Sequence, residues 1–465
     1  MTPPLPHDRV LSTMNDDGTR FWIHPKLAKG RFLRGRQIVG YALIAMFVAL
    51  PFIRIGGRPA LLLDLVSREL SVFGLVFKPS DGFVLMLLGL TVVLTVFLVT
   101  AMFGRVWCGW GCPQTVYLEH VFRPIERWLE GSPAQQKKLD ATPGLKPRRV
   151  LKWAIYLVIA FLLSNVFLAY FVGTDRLETW VLHSPADHIG GFSLVVGVAA
   201  LMMFDFTYFR EQTCIVACPY GRLQTVLLDK QSLIVGYDAK RGEPRSQPKK
   251  KLPVLNETRG DCVDCGACVA VCPTGIDIRD GLQMECIGCA QCIDACDTVM
   301  DKLQKPRHLI GYTSQDILAG KPKKLLRVRT IAYPALLVIV AGLLVWGVGS
   351  RESTKVWVDR IHGQAFVELP DGQVSSQVRL KLENESDDVR HYTVSLYKAT
   401  DTKLRAGALV FEVKGRKSTE IPLFVDAPRS TFVGGKRSVT LRVSDDRGFA
   451  RLLDVTLLGP EGGAQ

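Results

Sequence analysis

The sequence predicts a multidomain membrane protein with about five transmembrane α-helices, a small α+β domain and a C-terminal all-β domain. Three observations support this class: long apolar stretches before residue 350, dense cysteine runs between residues 262 and 296, and apolar residues of period two after residue 350. The 465 residues are 48% hydrophobic and carry a formal net charge of +14. This combination suits a membrane protein with basic loops, and the sequence contains no motif typical of RNA or DNA binding.

Five apolar stretches are long enough to cross a membrane as helices. They cover residues 37–55, 82–103, 150–172, 190–209 and 330–349. Between the first two, residues 56–81 are apolar but are interrupted by Asp64, Arg68 and Glu69. Because charges at membrane depth are costly, this segment is interpreted as interfacial or re-entrant, or as an amphipathic helix on the outer surface.

The distribution of charge predicts the orientation of these spans. Basic residues precede spans one, three and five, whereas the loop 173–189 carries Asp175, Glu178 and Asp187. Because cytoplasmic loops carry an excess of Lys and Arg, we expect the N-terminus inside and the C-terminus outside. The sequence therefore predicts a multi-pass membrane protein with its cysteine runs in the cytoplasm.

Two runs of cysteine have the spacing C-x2-C-x2-C-x3-C, the bacterial ferredoxin spacing for a pair of 4Fe–4S clusters. In this pattern the fourth cysteine of each run ligates the other cluster. One cluster is therefore assigned to Cys262, Cys265, Cys268 and Cys296, and the other to Cys286, Cys289, Cys292 and Cys272. Zinc ribbons use four thiolates in pairs and do not explain two runs of four. Iron–sulfur assembly needs reduced thiols, which agrees with a cytoplasmic location.

The four other cysteines belong to a motif, C-x3-C-P, that occurs twice. Its residues are Cys108, Cys112 and Pro113, and then Cys214, Cys218 and Pro219. Each motif lies at the cytoplasmic end of a span that runs from outside to inside. Proline fits the first turn of a helix, so the cysteine before each proline is expected to cap the next helix. Two equivalent turns on neighbouring spans can bring the four thiols together.

Four such thiols have several chemical uses. They can hold a third iron–sulfur cluster or zinc, and two of them can bind Cu(I), because soft thiolates select that ion. They can also cycle as dithiols, with thiolate character set by helix N-termini and by Arg105, Arg210 or Arg222. The residues themselves do not decide between these uses. Trp107 and Trp110 are interpreted as belt residues of the membrane interface.

The C-terminal part alternates between apolar and polar residues in short segments, such as Val378–Leu382 and Leu453–Leu457. About seven such strands, separated by turn signals, predict an immunoglobulin-like sandwich. The chain is thus divided into a cytoplasmic N-terminal tail (1–36), a membrane domain with four spans (37–237), a dicluster ferredoxin-like domain (238–310), a linker with the fifth transmembrane helix (311–349) and a periplasmic immunoglobulin-like domain (350–465).

With these parts in place, the chain resembles a known family. The two motifs read Trp107-Cys108-Gly109-Trp110-Gly111-Cys112-Pro113-Gln114 and Gln212-Thr213-Cys214-Ile215-Val216-Ala217-Cys218-Pro219-Tyr220. Together with the spans, the ferredoxin runs and the C-terminal sandwich, they are similar to the cytochrome c oxidase accessory protein family CcoG, also called RdxA or FixG. The likeness covers nearly the whole chain. Asp297 stands where the first run has Pro273, but no ligand is lost.

The resemblance implies a membrane-bound iron–sulfur electron-transfer protein that acts in the assembly of cbb3-type cytochrome c oxidase. It implies reduction of Cu(II) to Cu(I) for the oxidase copper centre. Whether the chain is an enzyme, namely a cupric reductase, stays open. The residues it assigns to catalysis and copper binding are Cys108, Cys112, Cys214 and Cys218, while the eight ferredoxin cysteines hold the electron relay. The implied partners are copper chaperones, cbb3 oxidase subunits and a cytoplasmic electron donor.

Two other functions stand as alternatives. The same membrane motif occurs in NapH-like and NosR-like quinol-linked proteins, so the chain can instead be a quinol-linked electron-transfer subunit. It can also be a non-catalytic assembly scaffold whose C-terminal domain docks the oxidase. Cluster reduction by quinone and the effect of cysteine replacement distinguish these alternatives.

Overall fold

The computed structural model describes residues 12–15, 17, 19–144, 146–245, 260–322, 326–360, 366–386 and 388–460. The chain forms two compact units, Met1–Val345 and Trp346–Gln465. The helices are α1 (Arg31–Ala49), α2 (Gly82–Phe103), α3 (Val106–Trp110), α4 (Pro113–Tyr117), α5 (Arg123–Glu130), α6 (Pro133–Ala141), α7 (Pro147–Val172), α8 (Thr174–Leu182), α9 (Ile189–Phe204), α10 (Pro219–Leu227), α11 (Ala239–Gly242), α12 (Ala267–Ala270), α13 (Gln291–Lys302), α14 (Gln315–Leu318) and α15 (Val328–Gly349). Single π-helical turns cover Leu118–Phe122, Asp205–Phe209 and Thr213–Ala217.

Within the described ranges, five helical segments are long and apolar enough to cross a membrane, which agrees with the predicted number of spans. They are Arg31–Ala49, Pro79–Phe103, Pro147–Val172, Pro185–Phe209 and Val328–Gly349. The sequence placed the first of them at 37–55, and both limits were wrong.

A hydrogen bond at the start of the first span and a proline after its end explain its limits. The helix starts early because the carboxylate of Asp294, on α13, accepts a 2.8 Å hydrogen bond from the backbone N–H of Leu33. That carboxylate satisfies one of the first N–H groups of α1, which have no partner within the helix. The helix ends early because Pro51 has no N–H to donate to the carbonyl of Phe47. The hydroxyl of Tyr170 donates to that carbonyl instead, at 2.6 Å.

The segment 56–81 is not an amphipathic helix. Short strands cover it and the residues just before it: β1 (Arg54–Ile55), β2 (Arg58–Pro59), β3 (Leu61–Asp64), β4 (Glu69–Val72) and β5 (Leu75–Phe77). The helical alternative was wrong because the charged residues form a hairpin turn rather than one face of a helix. Asp64 accepts hydrogen bonds from the backbone N–H groups of Val66 and Ser67, and Arg68 adopts a φ of 54°.

A two-stranded antiparallel ribbon brackets the ferredoxin cysteines. Its strands are β6 (Ile234–Tyr237) and β7 (Ile310–Thr313). Between them, α12 and α13 each follow a residue in the left-handed conformation, Gly266 and Ala290. Buried apolar side chains from both strands and from α13 form one core around the cysteines. The domain is therefore α+β, as the sequence predicted.

The second unit is a sandwich of antiparallel strands. They are β8 (Thr354–Arg360), β9 (Phe366–Glu368), β10 (Gln373–Asn384), β11 (Arg390–Tyr397), β12 (Lys403–Arg405), β13 (Val410–Val413), β14 (Ser418–Pro428), β15 (Lys436–Asp445) and β16 (Ala450–Leu458). One sheet has the order β12-β14-β10-β8, with β9 beside β10, and the other has the order β13-β11-β15-β16. Alternate residues such as Val378, Leu380 and Leu382 fill the core between the sheets. The immunoglobulin-like prediction is confirmed, with nine described strands rather than about seven.

Candidate functional site

The eight ferredoxin cysteines line two cavities. Cys262, Cys265, Cys268 and Cys296 line one of them. The other is lined by Cys272, Cys286, Cys289 and Cys292, and also by Cys268. The fold thus brings together the two sets that the spacing predicts, with the last cysteine of each run beside the other run.

The backbone of the second set suits a 4Fe–4S cluster. The N–H groups of Gly288 and Gln291 form hydrogen bonds with the sulfur atoms of Cys286 and Cys289. Ala290, between these two amides, adopts a φ of 62° directly before α13 begins at Gln291. Hydrogen bonds to cysteine sulfur are one of the means by which proteins tune such clusters. When bound, the clusters supply one-electron transfer.

Burial governs the ionisation of these thiols. It raises the pKa of Cys286 to about 12, that of Cys289 to about 11 and that of Cys296 to about 12. A buried thiol loses its proton readily only beside positive charge, and bound iron supplies that charge. The donor set therefore fits a metal cluster better than a set of free thiolates.

The two cysteine sets differ in their surroundings. Cys265 of the first set is exposed, whereas Cys289 of the second set is buried. The guanidinium groups of Arg36 and Arg105 oppose the effect of burial on the pKa of Cys289 and Cys286, respectively. Cys265 therefore meets solvent, while positive charge lies near both sets, since Arg279 likewise opposes the effect of burial on the pKa of Cys268.

Both C-x3-C-P motifs form the turns that their prolines predict. Helix α4 begins at Pro113 and α10 begins at Pro219. Cys112 and Cys218 occupy the preceding cap positions in extended backbone conformation. The sulfur of Cys112 also interacts with backbone N–H groups in the first turn of α4, which lower its pKa, although burial outweighs them.

The structure brings the four cysteines of these motifs together. The ionisation of Cys214 is influenced by Cys112, Cys108 and Cys218, and that of Cys108 by Cys112 and Cys218. Among the described residues, no group of three or more His, Cys, Asp or Glu side chains is arranged to hold a single metal ion.

Cys108 and Cys214 are not activated as free nucleophiles. Burial raises the pKa of Cys108 to about 11, and the nearby Arg105 lowers it only in part. Burial and the neighbouring thiols raise the pKa of Cys214 to about 12. The arginine effect expected from the sequence is therefore outweighed by desolvation. Protonated thiols react slowly in disulfide exchange, so the environment disfavours dithiol cycling at these two residues.

Sequence reasoning missed Gln224, which lies on α10 beside the first motif. Its side chain is fully buried, and its Oε1 accepts a 3.2 Å hydrogen bond from Sγ of Cys108. Among the described residues, its Nε2 has no hydrogen-bond partner. The available signal was a single amide in the helix that directly follows the second motif. Gln224 thus links the helix that follows the second motif to the Cys108 thiol of the first motif.

The first motif packs directly against the second ferredoxin set. A Cβ atom on Gly109 would lie 2.7 Å from the Cα of Cys289 and 2.7 Å from the carbonyl oxygen of Ile287. Only glycine permits so close an approach of two backbones. Arg36, 1% exposed, donates a 2.9 Å hydrogen bond to the carbonyl of Gly109, and Arg105 donates to the carbonyl of Met284.

A buried ionic network holds the second motif in place. Arg123 donates to Glu211 at 3.2 Å and to the carbonyl of Pro273 at 3.4 Å. It therefore connects α5 with the loop before Cys214 and with the turn after Cys272. Arg210, on the same loop, donates to Glu126 at 2.5 Å. These charges are buried in pairs, as charged groups in protein interiors must be.

Three known families match parts of the chain. A family described as a 4Fe-4S dicluster domain matches residues 209–315, and one described as a 4Fe-4S binding domain matches residues 85–131. A third, described as an immunoglobulin-like fold at the C-terminus of FixG, matches residues 344–460. The first two matches contain both C-x3-C-P motifs as well as the ferredoxin runs.

Two curated relatives are similar along nearly the whole chain, and a third is similar along part of it. The nitrogen fixation protein FixG of Rhizobium meliloti is 32% identical, over 92% of this chain and 91% of its own. The protein RdxA of Cereibacter sphaeroides is 32% identical, over 95% of each chain. The ferredoxin-type protein NapH of Escherichia coli is 26% identical, over 36% of this chain and 59% of its own.

Proposed function

We propose that this chain, which belongs to the FixG and RdxA family of iron–sulfur electron-transfer proteins, reduces Cu(II) to Cu(I) for the copper centre of a cbb3-type cytochrome c oxidase. The residues proposed to bind and reduce copper are Cys108, Cys112, Cys214 and Cys218. The eight ferredoxin cysteines are proposed to hold two 4Fe–4S clusters in the two sets given above. Each copper ion takes up one electron.

The contact of Gly109 with Cys289 is the observation that carries this proposal. It places the loop between Cys108 and Cys112 in direct contact with a cluster-binding loop. No side chain separates the two backbones at this point. An electron carried on the second ferredoxin set is therefore next to the thiols that would receive copper.

The chemistry of the four thiols supports copper as the acceptor. Soft sulfur ligands favour Cu(I) over harder ions, so they stabilise the product of the reduction. Burial raises the pKa values of Cys108, Cys112 and Cys214, and a bound cation would stabilise their thiolates. Cu(I) then passes to copper chaperones or to oxidase subunits, which are the proposed partners.

The proposed setting is the bacterial inner membrane. Basic residues before spans one, three and five support a cytoplasmic N-terminus and a cytoplasmic ferredoxin domain. With an odd number of spans, the sandwich is proposed to lie in the periplasm. Cys265, exposed at the first ferredoxin set, is the proposed point of approach for a cytoplasmic electron donor.

Anaerobic copper reduction by the purified, chemically reduced protein tests this function. We expect wild type to produce Cu(I), measured with a Cu(I)-specific chelator, and Cys108→Ala/Cys112→Ala to lose that activity while keeping the EPR signals of both clusters. The matched control is Met202→Leu/Met203→Leu, which removes two soft sulfur atoms from span four. Unchanged Cu(I) production in the cysteine variant would refute the copper assignment, and unchanged oxidase maturation in cells would support a scaffold instead.

A third 4Fe–4S cluster is a second candidate for the same four thiols. The match of residues 85–131 to a 4Fe-4S binding domain favours it, because this range contains Cys108 and Cys112. Two clusters correspond to about eight iron atoms per chain and three to about twelve. If Cys108→Ala/Cys112→Ala lowers the iron content by about four atoms, the third cluster is correct and the thiols are not a copper site.

A further inference from the structure

Arg36, on α1, carries a buried charge next to the contact between the two electron-transfer loops. Its side chain is 1% exposed, and its Nε donates a 2.9 Å hydrogen bond to the carbonyl of Gly109, in the first C-x3-C-P motif. A Cβ atom on Gly109 would lie 2.8 Å from the backbone nitrogen of Cys289. The guanidinium therefore contacts the same glycine that touches the second ferredoxin set.

This buried charge has no carboxylate bonded to it. In the described part of the chain, Arg36 forms no ion pair, and its Nη2 has no hydrogen-bond partner. Glu119 interacts with Arg36 electrostatically, but its carboxylate is bonded to Arg123. A buried charge is costly unless an opposite charge compensates it. The surroundings of Arg36 therefore call for a further negative charge.

The charge that Arg36 requires is available from a 4Fe–4S cluster on the second set. Four thiolates outweigh the positive charge of the iron–sulfide core, and reduction adds one more negative charge. The guanidinium also opposes the effect of burial on the pKa of Cys289, so it is close enough to act on a ligand of this set. A nearby positive charge stabilises the reduced form of a cluster more than the oxidised form, and thus raises its reduction potential.

The first ferredoxin set has a different balance of charge. Arg279 lines its cavity, but this guanidinium is paired with the carboxylates of both Asp277 and Asp264. A further carboxylate, that of Asp297, acts on Cys296. Carboxylates thus outweigh the arginine beside the first set, and negative charge lowers the reduction potential of a cluster.

From these contacts we propose that Arg36 is the counter-charge of the second cluster and holds its reduction potential above that of the first cluster. An electron that enters at the first set, where Cys265 is exposed, passes to the second set and remains beside the first C-x3-C-P motif. In this step the first cluster is oxidised and the second is reduced, and no bond or proton changes. The inference rests on the two clusters of the proposed function and gives its electron transfer a direction.

A potentiometric titration of the purified holoprotein, followed by EPR, tests this role. We expect Arg36→Gln, which keeps a donor for the Gly109 carbonyl but removes the charge, to lower the higher of the two potentials. The expected change is roughly tenfold or more in the ratio of oxidised to reduced cluster, which is about 59 mV for one electron. Arg36→Lys keeps the charge and should retain most of the potential. The control is Arg34→Gln on the same helix, because Arg34 is exposed and solvent screens its charge.

Two further variants make the result specific. Arg279 lines the first cavity and not the second, so Arg279→Gln should shift the lower potential and thereby assign the two steps. Glu119→Gln removes a negative charge that acts on both Arg36 and Cys289, so it should raise the higher potential. Iron content is measured in every variant, and Glu119→Gln tests the same charge if Arg36→Gln fails to retain its clusters.

Unchanged potentials in Arg36→Gln and Glu119→Gln would overturn the proposal. An equal fall in Arg36→Gln and Arg36→Lys would also overturn it, because the hydrogen bond rather than the charge would then be responsible. A shift confined to the lower potential in Arg36→Gln would do the same. The titration contains no copper, so its result is independent of whether the four motif thiols reduce copper.

Discussion

The indole Nε1 of Trp110 donates a 3.0 Å hydrogen bond to the hydroxyl of Tyr312. That hydroxyl donates in turn to the carbonyl of Gly288, at 2.7 Å. The sequence suggested that Trp110 is a belt residue of the membrane interface. Its indole instead has a specific partner inside the protein. Through Tyr312, on β7, Trp110 connects the first C-x3-C-P loop with the ferredoxin loop that contains Gly288.

Replacing Tyr312 with Phe should separate these two loops without removing a ligand. The change leaves the Trp110 N–H and the Gly288 carbonyl without their partner, and we expect a loss of stability of about 1–3 kcal/mol. Thermal unfolding in detergent measures the loss, and iron content should be unchanged. Tyr397→Phe, on the second unit, is the control and should leave the unfolding temperature of the first unit unchanged.

Replacing Gly109 with Ala should force the loops apart, because the new methyl group has no room beside Cys289. A small displacement of reacting groups can slow a reaction by roughly tenfold to a hundredfold. We expect Cu(I) production to fall by such a factor while the EPR signals remain. Gly89→Ala is the control, since a Cβ there meets no atom within 4 Å. Wild-type rates in Gly109→Ala would show that electrons do not pass at this contact.

Replacing Gln224 with Leu should weaken copper binding and leave the fold intact. The two side chains are similar in size, and removal of a buried polar group that is only partly satisfied costs little stability. Loss of a group that orients a metal ligand typically lowers affinity roughly 10- to 100-fold. Competition with a Cu(I) chelator measures the affinity. Unchanged affinity would mean that the Cys108 hydrogen bond has no role in the copper-bound state.

Acid should destabilise the ionic network around Glu126. Burial raises the pKa of this carboxyl, but Arg210 and Lys152 outweigh burial and lower the pKa to about 2 from 4.5. Because the folded-state pKa lies below the unfolded value, this stabilisation is fully present above about pH 4.5 and is lost as the pH falls towards 2. We expect Glu126→Gln to be less stable than wild type near neutral pH and to show a weaker loss of stability in acid.

Thermal unfolding across this pH range measures the difference. Glu178→Gln is the control, because Glu178 is exposed and belongs to no ion pair among the described residues. A parallel loss of stability in wild type and Glu126→Gln would exclude Glu126 as the source of the acid sensitivity.

The sequence predicted those features that depend on residues close together along the chain. The grouping of the ferredoxin cysteines follows from ligands two or three residues apart, and the turns at Cys112 and Cys218 follow from the proline after each. It did not predict partners that are distant along the chain. Gln224 meets Cys108 because α10 packs against α2, the span before α3, where the hydroxyls of Tyr220 and Thr100 are 2.6 Å apart, and no local pattern records that. The strands of 61–77 were missed because charges within a short apolar segment can mark either a turn or one face of a helix.

The hydrogen bond from Leu33 to Asp294 has a consequence for biosynthesis. The two residues are 261 positions apart, so α1 leaves the ribosome long before its partner carboxylate has been translated. The N-terminal end of α1 must therefore be hydrated when the helix enters the membrane. It reaches its final position only after the cysteine-rich segment has been made. A nascent chain arrested before residue 294 would have α1 in the membrane without its hydrogen bond to Asp294. The final position of the N-terminal helix thus depends on a segment that is translated late.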